Sequence, residues 1–208
     1  MKKIQHLGFA ALSTILLFSC GGNQEESVSE AEAPCTYAYD DVSSSLEWVA
    51  FKFTNKTPVK GTFTVIEFDG TLEAADPIEL LSTLSFTIPV SSVETQNEDR
   101  NGKIVENFFG TLSTDDLTGK MVSLSDDGVA VIEVMMNNMA QNVTGTYTFE
   151  QNRFSFKATM DVMNWNAGEG IAALNTICKD LHTGDDGVSK LWSEVDLNFS
   201  TVLQTDCK

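Results

Sequence analysis

Cys178 and His182 are the pair in this 208-residue chain whose types and spacing best suit chemistry. They stand four positions apart, so on a helix they share a face. Such a pair fits two metal ligands or a thiol–imidazole nucleophile. It has little support elsewhere. His6 lies in an N-terminal run read below as a removable signal, which leaves His182 as the sole histidine of the mature chain. Serine–histidine–acid catalysis and histidine-rich metal sites both lean on that one residue, and no further ligands stand at a recognisable spacing. A partly buried structural histidine is the plainer reading. The acids are scattered in the manner of a solvated surface, and no Gly-rich phosphate loop occurs. The sequence predicts a non-enzyme with no catalytic residue, no metal and no cofactor.

The other cysteines place the chain. Lys2 and Lys3 precede an apolar run from Leu7 to Phe18, too short for a comfortable membrane span. The run ends in Leu17-Phe18-Ser19-Cys20, which resembles the lipobox of bacterial lipoproteins. That resemblance implies cleavage after residue 19 and acylation of Cys20. Gly21 to Pro34 follows with four Glu and one strongly apolar residue, Val28. It cannot bury enough surface to fold and reads as a disordered tether over 20–34. The globular domain is expected over 35–208, in the bacterial cell envelope, lipid-anchored and periplasmic or outer-surface. The formal charge of −17 becomes −19 once residues 1–19, with two lysines and no acid, are removed. Phosphate repulsion at that charge argues against nucleic acid as a partner.

The elements that must carry any site are mostly strands. Arg153 to Val162 (RFSFKATMDV) puts Phe154, Phe156, Ala158, Met160 and Val162 on one parity and polar residues on the other, the period of a half-buried strand. Leu46 to Phe53, Val59 to Phe68, Leu84 to Val90, Lys120 to Leu124, Val129 to Met136, Asn142 to Phe149 and Leu191 to Leu203 read likewise. Thr71 to Ala74 begins a further short strand, and Ile78 to Leu81 a helical turn. Glu98 to Phe109, with Ile104, Val105, Phe108 and Phe109 at helical spacing, predicts a short amphipathic helix over one end. About eight strands with hairpin-like connections and no βαβ signal make an all-β sandwich or up-and-down barrel. In a closed antiparallel barrel with an even strand count both termini meet at one rim. That favours a Cys35–Cys207 bridge, with Cys178 pairing to either, or three free thiols, as the alternatives.

Trp48, the Val59-Lys60-Gly61-Thr62-Phe63 run read as a turn followed by an aromatic, and Leu84 to Val93 together resemble the YceI-like family of polyisoprenoid-binding proteins. Asp99-Arg100, Phe108-Phe109 and Thr144-Gly145-Thr146-Tyr147 extend the resemblance over roughly Leu46 to Leu203. It implies an eight-stranded antiparallel lipocalin-like barrel with one or two short helices and an apolar tunnel for an isoprenoid chain. The segment Asn166 to Lys190, a short helix and a Gly-Asp loop, departs from the simplest members and could lid the mouth or narrow the tunnel.

Eight strands enclose an interior that side chains either fill or leave open for one small ligand. Periodicity alone does not choose. The expected ligand-binding residues are Trp48, Phe63, Phe86, Phe108, Tyr147, Phe149, Phe154, Phe156, Met160 and Phe199, with Val65, Leu84, Ile88 and Leu197 also inward. Lys52, Lys56 and Lys60 fall within nine residues with no acid between Glu47 and Glu67. They are either a receptor for an anionic head group or solvated lysines blunting a hairpin. The expected function is a lipid-anchored protein that binds an isoprenoid or quinone-like lipid in the tunnel and meets the membrane through Cys20. The alternative is a tethered β-domain with a filled core, serving adhesion or assembly.

Overall fold

The structure is a computed structural model that describes residues 35–39, 41–71 and 73–207. The signal-like run, Cys20 and the acidic tether lie outside the described residues. The chain order begins β1 (Cys35–Ala38), β2 (Ser45–Lys52), β3 (Thr57–Phe63), β4 (Glu67–Asp69), β5 (Glu73–Ala74), α1 (Pro77–Ser82), β6 (Ser85–Pro89), β7 (Val93–Glu94) and α2 (Glu98–Ile104). It continues through β8 (Asp116–Leu124), β9 (Val129–Met136), β10 (Met139–Glu150), β11 (Arg153–Asp161), α3 (Gly168–Ile177), α4 (Lys179–His182), β12 (Leu191–Val202) and β13 (Gln204–Cys207).

Hydrogen bonds link ten strands in the order β4-β6-β8-β9-β10-β11-β12-β2-β3-β7, every pairing antiparallel. The two flanks of this curled sheet are joined by the chain itself. β3 pairs with β2 and β4 pairs with β6, yet only residues 64–66 separate β3 from β4. The sheet thus has ten strands where eight were expected; eight staves result only when 57–69 is counted as one bent stave and the two-residue β7 is set aside. The expectation of one unbroken strand over Val59 to Phe68 is therefore corrected: the strand breaks at Thr64-Val65 as it changes partners, and Ile66 returns to the cavity wall. Val65 is 40% exposed for this reason, not inward. The Val59-Lys60-Gly61 run is likewise no turn. It lies in mid-β3, with Gly61 opposite Trp48.

Local chemistry explains the connections. Asn137-Asn138 and Gln151-Asn152 hold positive φ in the two tight hairpins, a conformation that asparagine tolerates. Asp76 caps α1 by accepting from the Ile78 and Glu79 amides at 2.7 and 3.2 Å, with Pro77 in the first turn. Asn97 caps α2 through the Arg100 amide at 2.9 Å. The helix expected over Glu98 to Phe109 changes to a π-helical turn at Val105–Phe109. The wider turn brings two adjacent rings, Phe108 and Phe109, into the core together.

The barrel has two dissimilar ends. Where β10 turns into β11, the small sheet β13-β1-β5 and α1 cover the opening. Cys35 and Cys207 sit opposite each other in that sheet and form a disulfide. At the other end α2, the π turn, α3 and α4 form a helical cap, in which Cys178 is a buried free thiol.

Candidate functional site

Inward residues of the staves surround a cavity of about 240 Å³. Its wall contains only Ala, Val, Leu, Ile, Met, Phe and Trp, so it offers no acid, base or nucleophile. β11 contributes Phe154, Phe156 and Met160, β12 contributes Leu197 and Phe199, and β6 contributes Phe86 and Ile88. Trp48, Phe63, Leu84 and Phe108 also face it. The helical cap closes over it with Ile104, Ile171 and Leu174, and Leu81 of α1 meets it from the sheet end.

The lumen stays open because large rings lie flat on glycines of neighbouring staves. A Cβ on Gly61 would stand 2.2 Å from Trp48 Cζ2, and one on Gly119 would stand 2.4 Å from Phe86 Cζ. Both glycines are the direct cross-strand partners of those aromatics. The missing side chains leave a shelf for each ring, which keeps it along the wall and out of the centre.

Two expected lining residues do not reach the cavity. Tyr147 and Phe149 keep the inward parity but lie at the sheet end, where they pack on the core cluster. Tyr147 stacks on Phe154 with ring centroids 5.6 Å apart, and its hydroxyl donates to the Ser125 carbonyl at 2.9 Å. Packed rings and the small sheet plug this end. Sequence reasoning in turn missed Ile132, Val134 and Met136 of β9. Their alternation with buried Ala130 is regular, but outward Val131 and Met135 hide it from a hydrophobicity pattern.

The three hairpin lysines do not form a free positive island. Lys56 pairs with Glu194, and Lys60 pairs with Glu47 at 3.0 Å. The expectation fails for Lys56 because Glu194 arrives from β12, beyond any window along the hairpin. Lys60 fails because it faces the outer surface beside Glu47. Lys52 alone turns to the helical cap, where its Nζ donates to the Leu181 carbonyl at 3.0 Å.

Lys52 borders a second chamber of about 190 Å³, lined also by Asn97, Asp99, Arg100, Lys103, Cys178, Leu181 and His182. It shares Trp48, Ala50, Ile104, Leu174 and Leu191 with the apolar cavity. Burial pushes the Cys178 thiol up from its ordinary value, and burial followed by the Lys52 charge pulls the His182 imidazole down. Both shifts favour the neutral forms, the opposite of a thiolate–imidazolium pair. His182 Nδ1 lies 3.0 Å from Asn175 Oδ1, a structural contact inside the cap.

A family model describing the YceI-like domain matches residues 37–203. The chain belongs to the YceI-like family. The YceI-like fold extends to solved structures of low sequence identity. BcnA of Burkholderia cenocepacia is 16% identical, with a TM-score of 0.53 over 81% of this chain and 99% of that one. A polyisoprenoid binding domain from Saccharophagus degradans, implicated in plant cell wall breakdown, is 14% identical, with a TM-score of 0.56 over 85% and 99%. At these identities the likeness speaks for the fold alone. Comparison with curated protein sequences gives no match.

Proposed function

We propose that this YceI-like protein is a lipid-anchored, extracytoplasmic carrier that holds an isoprenoid or quinone-like lipid in its barrel, without covalent chemistry. The observation that carries the reading is the cavity wall, apolar throughout and lined from every side of the barrel. Membership of the YceI-like family and the polyisoprenoid-binding description of the S. degradans neighbour support it. An interior held open by rings on glycine shelves favours it over a filled-core adhesion module. The lipobox-like Cys20 and a disulfide suited to an oxidising compartment support the envelope location.

Energetics suit exchange with a membrane. Moving one five-carbon prenyl unit out of water into this wall is worth up to roughly 4 kcal/mol, at about 0.8 kcal/mol per methylene-sized group. In a bilayer the tail is already dry, so transfer between bilayer and barrel is nearly balanced. An acyl anchor on Cys20 would keep the barrel beside its source.

The test is native mass spectrometry and lipid extraction of the full chain purified from membranes. One isoprenoid or quinone-like molecule per chain is expected. A chain that emerges without such a lipid, and takes up no geranylgeraniol from phosphatidylcholine vesicles, overturns the carrier reading.

A further inference from the structure

The outer surface of the helical end carries a corner unlike the rest of the barrel's exterior. Three of the large apolar side chains exposed among the described residues lie in the segment 177–188: Ile177 at 54%, Leu181 at 58% and Val188 at 48%. Ile177 and Leu181 stand four positions apart across the junction of α3 and α4. The His182 amide still donates to the Cys178 carbonyl there at 2.9 Å, so the two side chains share a face. The loop that follows folds back, which returns Val188 toward α4. The Gly184 amide donates to the Val188 carbonyl at 3.2 Å, and the Lys190 amide to the His182 carbonyl at 3.1 Å.

The β2–β3 hairpin is fastened to this segment and gives it an aromatic, cationic rim. Phe53 holds a φ of 59°, which a bulky residue rarely adopts. Its amide donates to the Lys190 carbonyl at 2.9 Å, and its carbonyl accepts from Trp192 Nε1 at 2.7 Å. The Thr54 hydroxyl donates to Asp186 at 2.6 Å. Lys56 and Lys190 place their Nζ atoms 4.5 and 4.6 Å from the centre of the Trp192 ring, and Lys52 lies 4.6 Å from that of Phe53. Charge also sets the corner apart. Residues 51–57 and 177–194 hold Lys52, Lys56, Lys179 and Lys190 against Asp180, Asp185, Asp186 and Glu194. These cancel, so the formal charge of −17 resides in the rest of the chain.

We infer that this corner docks on the surface of a phospholipid bilayer and lays the helical end of the barrel against it. Ile177, Leu181 and Val188 enter the upper methylenes, while the Trp192 ring and the lysine stems sit at the level of the phosphates. Lysine is depleted from protein–protein interfaces and favoured beside lipid phosphate, so the rim fits a bilayer better than a protein partner. Local neutrality lets this corner approach an anionic surface that repels the rest of the chain. Chain length allows the contact. Fifteen positions separate Cys20 from Cys35, at most about 50 Å when extended. The twelve residues of β12, which run from the helical end to the sheet end, span about 40 Å. An anchor on Cys20 therefore leaves the opposite end within reach of the same bilayer. The docking does not depend on what the barrel holds.

The experiment places the full chain, purified from membranes, in phosphatidylcholine nanodiscs that contain a lipid with a nitroxide on its head group. Methyl NMR then reads which side chains the nitroxide broadens. The methyls of Ile177, Leu181 and Val188 are expected to broaden several times more than those of two exposed controls. The controls are Val122 on the outer wall and Val42 at the sheet end, where the neighbouring Ser43 hydroxyl donates to the Val202 carbonyl. The Leu181→Asp/Val188→Asp double variant is expected to bring Ile177 down to the level of Val122. Its unfolding midpoint should stay close to that of wild type, because both side chains are half exposed. Greatest broadening at Val42 overturns the docking, because the sheet end then faces the bilayer. Equal broadening at all five positions, or none, also overturns it, because the barrel then hangs free. A double variant that leaves Ile177 as broad as in wild type removes the apolar tips from the contact and overturns the assigned surface. None of these outcomes bears on the carrier reading, which the lipid extraction tests separately.

Discussion

The two ends of the barrel solve the same covering problem with different materials. The sheet end is closed by backbone ladders, a covalent bridge and a run of packed rings: Tyr39 tilted on Phe68, Phe68 near Phe199, Phe199 near Phe154, and Phe154 stacked on Tyr147. The helical end has neither sheet nor covalent bridge: the π turn buries Phe108 and Phe109 edge to face, and α3 lays half-buried Ile171 and Leu174 over the lumen. Opening the first breaks ladders and a covalent bond, whereas opening the second parts side-chain contacts of Ile104, Phe108, Ile171 and Leu174. On the proposed carrier function, the difference makes the helical end the expected route for lipid and the sheet end the keeper of shape.

The bridge is the strongest lever on this contrast. It joins residues 172 apart in sequence. Cys35→Ser is expected to cost about 2–5 kcal/mol in denaturant unfolding, and a reductant should reproduce the loss in wild type. An unchanged midpoint would remove the bridge from the account of the sheet end. Next come two leucine truncations. Leu81, 1% exposed at the sheet end, should cost about 3 kcal/mol as Leu81→Ala, with little change in the lipid off-rate. Half-buried Leu174 should cost about 1 kcal/mol as Leu174→Ala and raise the off-rate severalfold in stopped-flow transfer to vesicles. The reverse pattern would exchange the roles of the ends.

Gly61→Val tests the wall between them. The added carbon meets the Trp48 ring at 2.2 Å, so the ring must swing into the lumen. A loss of about 1–3 kcal/mol and reduced lipid capacity are expected, read by denaturation and by titration with geranylgeraniol. Unaltered capacity would defeat the shelf explanation of the open lumen.

The smallest effect is acid loosening confined to the cap. Burial, with Lys52 second, holds the His182 imidazole below its ordinary 6.5. An opened cap lets it titrate normally and so binds more protons than the closed one as pH falls below that value. The stabilising contribution is therefore complete above about pH 6.5 and fades as pH drops toward the lowered value. Hydrogen exchange across 179–190 should quicken between about pH 7.5 and pH 5.5 beyond its intrinsic pH trend. The sheet end should show no such excess, and His182→Gln should abolish it.

What the sequence disclosed follows from the range of each physical signal. Period-two alternation is local, so Phe154, Phe156 and Met160 were assignable to the inner face from their own strand. An even number of antiparallel staves favoured Cys35–Cys207 over pairings with Cys178, but it did not disclose the separate sheet in which the two cysteines lie opposite each other. The hollow was not legible, because it depends on Gly61 facing Trp48 and Gly119 facing Phe86 across a register no single strand contains. Tyr147 and Phe149 had the right parity, but parity does not give depth along the barrel axis. The hairpin lysines looked unopposed because Glu194 is distant in sequence and adjacent in space. Val65 looked inward because nothing in Thr64-Val65-Ile66 announces a change of strand partner.

Those three residues carry a mechanical consequence. Where β3 gives way to β4 the chain is fastened by a short seam: β7 pairs Thr62 with Glu94 and Phe63 with Val93, and the Ser92 carbonyl accepts from the Thr64 amide at 2.9 Å. That seam is two residue pairs long, against ladders of five or more between most other staves. A vessel laced so briefly on one side would be let out there first, were a thicker guest to enter.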